Sequence, residues 1–247
     1  MRGECTQTNL PEVGSDEHFL QLMSPVWDGA TVYHESIMFV PNPKTGEIDA
    51  APLLYLPEKI LSVSSSDFVV KYREEIDYTV ENGCICRQAG GNIPAWSYDD
   101  YYPPQPSDIP IASTGAAGRY VCYNANGLYH RMQLAVTYRH QDSWCGVQPH
   151  RCKAELPETV RLLSSRQLFT VVYYGDSILE GCDASGFHRQ APYQPSVTQL
   201  VTKKLQKEYA HPNIAQFNTA VGGKDSAWGR VNAQERVAAY RPDLVVI

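Results

Sequence analysis

Residues 168 to 174, LFTVVYY, form an apolar run broken only by Thr170, and Gly175-Asp176-Ser177 follows at once. A run this short and this apolar is characteristic of a strand buried on both faces, as inside a parallel sheet covered by helices. The residues that follow keep the matching period. PSVTQLVTKKLQKEYA (195–210) carries Val197, Leu200, Val201, Leu205 and Tyr209 on one helical stripe, with Ser196 as N-cap and His211-Pro212 as the stop. IAQFN (214–218) reads as a weaker strand, AWGRVNAQERVAAY (227–240) as a second helix and LVVI (244–247) as a third strand. This βαβαβ alternation predicts an α/β fold: a parallel, doubly wound, flavodoxin-like half over residues 167–247, with right-handed crossovers.

The sequence before residue 141 is of a different kind. TVYHESIMFV (31–40), APLLYL (51–56), DFVVKY (67–72) and IDYTV (76–80) are short runs punctuated by Pro, Gly, Asn and Asp. They predict a β-sandwich or jelly-roll-like domain over residues 26–141. Residues 88–118, with QAGGN, YYPPQPSDIP and STGAAG, read as long surface loops. HRMQLAVTYRH (130–140) alternates Met132, Leu134, Val136 and Tyr138 with polar or small residues, which predicts a half-buried strand. Residues 1–25 lack a period and read as a polar arm. Residues 142–166 read as a junction in which ETVRLLSSRQ makes a short helix. Because the chain stops inside LVVI, before the loop that strand would deliver, residues 1–247 are expected to be a truncated fragment.

Charge and composition narrow the partners. The formal net charge of -6 argues against an electrostatic nucleic-acid footprint. No apolar run approaches the roughly 18 residues of a spanning helix, so no membrane partner is expected. The seven cysteines form an odd set without a CxxC pair, and reduced thiols are the simpler reading. MRGECTQTNLPEV lacks the apolar core of a secretory signal, which makes a cytoplasmic location the default.

Two segments could carry chemistry. In YYGDSILEG (173–181), Ser177 stands at the first turn after a buried strand, where its hydroxyl can meet solvent and its own N–H can meet a developing oxyanion. The alternative for Gly175-Asp176-Ser177 is a turn and N-cap. In NTAVGGKDSAWG (218–229), paired glycines after the second strand let backbone N–H groups approach a ligand closely. A phosphate loop fails because Asp225 follows Lys224, a dinucleotide fingerprint fails for want of glycines, and the GxSxG elbow fails at Leu179. No cofactor is implied. Cys145, His150 and Cys152 supply three potential zinc ligands without a fourth, so no metal site is expected. His188 reads as a solvent-exposed histidine, and Cys182 as either a reactive thiol or a small buried residue.

Together, FTVVYYGDSILEG and NTAVGGKDS resemble the first two blocks of the SGNH (GDSL-type) hydrolases over about residues 166–247. The resemblance implies that Ser177 is the nucleophile and that Gly223, with the Ser177 backbone, donates to the oxyanion. The family's third block, bearing an Asn, and its last block, bearing the catalytic Asp and His, would fall beyond Ile247, so the chain by itself is expected to be inactive. The β-rich part is similar, more loosely, to domains that precede SGNH domains in carbohydrate-esterase-like proteins. There, Trp96 and the tyrosines could stack on sugars or pack internally. The implied function is hydrolysis of acyl esters, acetylated carbohydrate above all. The alternatives are a non-catalytic carbohydrate-binding or interaction module and an acyltransferase using the same serine. The acyl group, the alcohol and the oligomeric state stay open.

Overall fold

The computed structural model describes residues 11–107, 109–123, 127–149 and 154–247. Two compact units emerge, one spanning Ser24–Gly146 and one formed by Val147–Ile247 together with the chain up to Met23. The first holds antiparallel sheets and the second a parallel sheet.

The chain opens with α1 (Asp16–Leu22), which belongs to the second unit. The first unit then runs through β1 (Thr31–Met38), β2 (Ala51–Pro52), β3 (Pro57–Ser65), β4 (Lys71–Tyr72), β5 (Tyr78–Glu81), β6 (Cys84–Arg87), α2 (Tyr98–Tyr101), β7 (Ile111–Ala112), β8 (Tyr120–Val121), α3 (Leu128–Met132) and β9 (Gln133–His140). A four-stranded sheet has the order β1-β9-β3-β4, and a three-stranded sheet the order β2-β6-β5. Both contribute to one core: Val32, Val63, Leu134, Val136 and Tyr138 come from the first sheet, Ala51, Tyr78 and Ile85 from the second.

The structure of this unit differs from expectation in four places. β9 is central rather than half-buried, because β1 and β3 flank it and both its faces are covered; Ala135 and Thr137 are as buried as Leu134 and Val136. Thr137 is tolerated there because its hydroxyl accepts the N–H of His34 at 3.1 Å. Met132 ends α3 instead of starting the strand. β3, nine residues long, was hidden by its serines and its charged start. DFVVKY is mostly a turn, with Val69 and Val70 exposed and only Lys71–Tyr72 paired.

Asp77 organises the turns around β5. Its carboxylate accepts the N–H of Arg73 at 2.8 Å and both the main-chain and side-chain N–H of Asn92 at 3.0 Å. Those donors, Arg73 first, hold its carboxyl below the usual carboxylate range. Gly91 packs directly on this residue: a Cβ there would stand 2.6 Å from the Asp77 Cα and 3.0 Å from its carbonyl. Backbone cannot yield as a side chain does. Gly91→Ala is therefore expected to destabilise the unit by about 1–3 kcal/mol, on the scale of an overpacked interior. Thermal unfolding followed by circular dichroism should show the loss, and an unchanged midpoint would contradict the packing described.

The second unit continues with α4 (Pro157–Ser165), β10 (Phe169–Tyr173), α5 (Ser177–Glu180), α6 (Val197–Glu208), β11 (Ile214–Asn218), α7 (Ser226–Arg236), a 3-10 turn (Ala238–Tyr240) and β12 (Leu244–Val246). The strands are parallel in the order β11-β10-β12. β10 is buried on both sides, with Phe169, Val171 and Val172 fully enclosed. Phe169, Val171 and Tyr173 pack with Leu163 of α4 and with Val201 and Leu205 of α6. On the opposite face Tyr174 lies against Trp228 of α7, ring centroids 5.8 Å apart, and its hydroxyl donates to the Gly229 carbonyl.

Ser196 caps α6 through a capping box with Gln199. The buried stripe of α6 differs in part from expectation. Val197 is 44% exposed, whereas Thr198 and Thr202 are buried. Thr202 sits inside because its hydroxyl meets that of Tyr173 at 3.1 Å. α4 falls within the expected junction, yet its Leu163 belongs to this core. Part of the expected N-terminal arm is helical: α1 is capped by Ser15, whose side chain accepts the His18 N–H, and it buries His18 and Phe19. Asp16 pairs with Lys203 of α6 at 2.5 Å.

Candidate functional site

In a parallel sheet the loops that follow the strands leave from one common edge, and here β10 and β11 run in register from Phe169↔Ile214 to Tyr173↔Asn218. The loops carrying Ser177 and Gly223 therefore share the carboxyl edge. The order β11-β10-β12 has β10 in the middle, so the chain crosses from one side of β10 to the other, and such switch points are where open α/β sheets leave crevices.

At the end of β10 the Tyr174 N–H still donates to Val246 at 2.8 Å, which holds the strand straight to the turn. Asp176 caps α5, its carboxylate accepting the Ile178 N–H at 3.0 Å. The cap is thus Asp176, and Ser177 is the first helical residue. Its amide has no intrahelical acceptor, as for any residue at that position. Ser177 is half-buried, and its hydroxyl makes no hydrogen bond among the described residues.

The β11 loop is drawn onto this turn. Thr219 N–H donates to the Tyr173 carbonyl and Val221 N–H to the Gly175 carbonyl, both at 2.9 Å, so pairing continues past the strands. The Asn218 side chain donates to the Leu179 carbonyl at 2.8 Å. Gly222 then approaches most closely: a methyl on it would stand 3.5 Å from Ser177 Cβ, 2.9 Å from Glu180 Oε2 and 3.7 Å from Cys182 Sγ. Its N–H donates to Glu180 Oε2 at 2.5 Å. Gly223 takes the left-handed conformation at φ +72 and has open space around its Cα. Its amide has no acceptor among the described residues.

Gly223 was the glycine singled out from sequence, while Gly222, Glu180 and Asn218 were not. The doubled glycine was the available signal for Gly222. Glu180 carried none, since a glutamate in a short helix is ordinarily a solvated residue. Cys182 donates to Glu180 at 3.4 Å, and burial first, then that bond, pushes its thiol up to about 11. It is a thiol at neutral pH, which removes the thiolate needed for a reactive cysteine.

No described histidine hydrogen-bonds to Ser177. His188 lies in the loop after α5, in ring contact with Phe187. His211 is fully buried at the amino end of β11, the opposite edge of the sheet, where its Nδ1 accepts the Asn213 N–H. A cleft of about 460 Å³ opens beside the two loops, lined by Tyr174, Asp176, Ile178, Lys224, Trp228 and Ile247 among others; Ser177, Gly222 and Gly223 stand outside its lining. The Trp228 ring there lies 5.0 Å from the Arg236 guanidinium and 5.9 Å from Lys224 Nζ.

Among the described residues no three His, Cys, Asp or Glu side chains gather as a metal site. Cys145 is exposed, and its partners in the zinc reading, His150 and Cys152, lie outside the described residues. No described helix is long and apolar enough to cross a membrane. Trp96 is only 4% exposed, locked edge-on against Tyr101, and offers no open face for a sugar. No protein-family model, curated protein or solved structure matches the chain significantly.

Proposed function

We propose that residues 167–247 form the first half of an SGNH-type, flavodoxin-like hydrolase domain, preceded by a β-sandwich or jelly-roll-like domain, and that the protein is a serine esterase. The observation that carries this reading is the meeting of the two loops at one sheet edge, with Gly222 held against Ser177 and the Gly223 amide unused. Two antiparallel sheets sharing one core support the β-sandwich assignment.

In this reading the Ser177 hydroxyl attacks the carbonyl carbon of an ester. The N–H groups of Ser177 and Gly223 hold the negative charge that develops on the carbonyl oxygen. The alcohol leaves, an acyl-serine remains, and water releases the acid. A base must take the serine proton, because an unassisted hydroxyl is a poor nucleophile at neutral pH. The described residues bring none to Ser177, so the reading assigns the base, with its orienting carboxylate and the Asn of the third block, to residues beyond Ile247. Acetylated carbohydrate is the proposed substrate class, on the strength of the resemblance of the β-rich domain.

The second reading, a non-catalytic carbohydrate-binding or interaction module, is favoured by that same missing base. An acyltransferase differs from the esterase only in the acceptor that reaches the acyl-serine. Acetate release from an aryl acetate and from acetylated xylo-oligosaccharides separates these readings. The full-length protein is expected to turn both over, and residues 1–247 alone to show at least a thousandfold less, the scale of losing a triad member. A full-length protein without turnover would remove the esterase assignment. Robust turnover by residues 1–247 would show that a base lies within them.

A further inference from the structure

Three contacts fasten the β11 loop to the turn that carries Ser177. Two of them, Val221 N–H to the Gly175 carbonyl and Asn218 Nδ2 to the Leu179 carbonyl, end on main-chain acceptors that any sequence would provide. The third ends on a side chain, the Glu180 carboxylate that accepts the Gly222 N–H at 2.5 Å. Glu180 lies three residues after Ser177 in α5, the spacing that brings two side chains to one helical face. A hydrogen bond to a carboxylate belongs to the stronger, charge-assisted class. The same carboxylate also receives the Cys182 thiol at 3.4 Å, so it is held from two sides.

With the Gly222 N–H committed to Glu180, the Gly223 N–H is the first amide of this turn without an acceptor among the described residues, and Gly223 is exposed. We infer that Glu180 is a positioning residue: its carboxylate clamps the Gly222 amide and so sets the Gly222–Gly223 turn with the Gly223 amide free for the carbonyl oxygen of an ester at Ser177. This rests on the esterase reading above. The contribution of Glu180 is then felt in the transition state, where the oxyanion forms, and little in ground-state binding.

The test compares Glu180→Ala, Glu180→Asp and Glu180→Gln in the full-length protein, with an aryl acetate as substrate. Alanine removes the acceptor, aspartate keeps the charge but shortens the reach, and glutamine keeps an acceptor at the same distance. Glu180→Ala and Glu180→Asp are expected to lower kcat roughly ten- to a hundredfold with KM nearly unchanged, the scale of a displaced reacting group. Glu180→Gln should stay within roughly threefold of wild type. Wild-type kcat in Glu180→Ala or Glu180→Asp, or an equal loss in Glu180→Gln, would overturn the inference. A separate readout does not depend on turnover: in residues 1–247 the Gly222 amide should exchange with solvent at least about tenfold faster in Glu180→Asp than in wild type, as expected for a hydrogen bond opened locally. Unchanged exchange would refute the clamp. Absence of wild-type turnover, with exchange accelerated as expected, would instead place the failure in the esterase reading.

Discussion

Ser177→Ala in the full-length protein is expected to lower ester turnover by on the order of ten-thousandfold or more, the scale of removing a catalytic nucleophile. Ground-state binding should barely change, because the hydroxyl contributes a covalent bond made during reaction and little contact before it. Ser177 is half-buried with an uncommitted hydroxyl, so replacing it by alanine leaves no buried group unpaired and folding should be intact. Mass spectrometry after exposure to a fluorophosphonate gives the independent check. Wild type should gain one adduct on the peptide containing Ser177, and the variant none. An adduct that persists in Ser177→Ala would move the nucleophile elsewhere.

Gly223→Ala is expected to lower kcat by roughly a hundredfold or more, the size seen when one oxyanion donor is lost. The cause is conformational. A methyl at this position meets no protein atom within 4 Å, but φ is +72, a region where an ordinary L-residue is strained by about 1–2 kcal/mol. The turn should relax and carry its amide away from the reacting carbonyl. Asparagine tolerates the left-handed region better than alanine, so Gly223→Asn should retain clearly more turnover than Gly223→Ala. Wild-type turnover in a folded Gly223→Ala protein would remove the oxyanion assignment, and with it the main neighbour that corroborates Ser177.

Gly222 fails by a different route. Its methyl would press on Glu180 Oε2 at 2.9 Å, the far end of a flexible side chain that can move aside only by giving up the Gly222 N–H. The two adjacent glycines are thus required for distinct reasons, one for its backbone angle and one for the closeness of its neighbour. A sequence shows two identical letters and cannot separate them.

What the sequence determined by itself was whatever depends on local period and local capping. Within LFTVVYY, Phe169–Tyr173 is legible as a doubly buried strand because nearly every residue is apolar, although Leu168 before it is exposed; α6 is legible because its apolar spacing and its Ser196 cap are properties of neighbours in the chain. That Ser177 and Gly223 stand in turns just beyond strands was legible for the same reason, since glycines mark both turns. The tertiary structure decided what depends on partners far along the chain. β9 carries the pattern of a half-buried strand, but β1 and β3 close over it, and Thr137 becomes an interior residue only because His34 supplies a donor 103 positions away. β3 holds its place by pairing with β9, which outweighs the weak strand preference of its serines. α1 is anchored by Lys203, far downstream. Glu180 acquires a role only when the loop after β11 arrives 42 positions later and presents an amide to its carboxylate. Hydrogen bonds and burial are settled between surfaces that meet on folding, and a one-dimensional pattern records only the half of each surface that it carries.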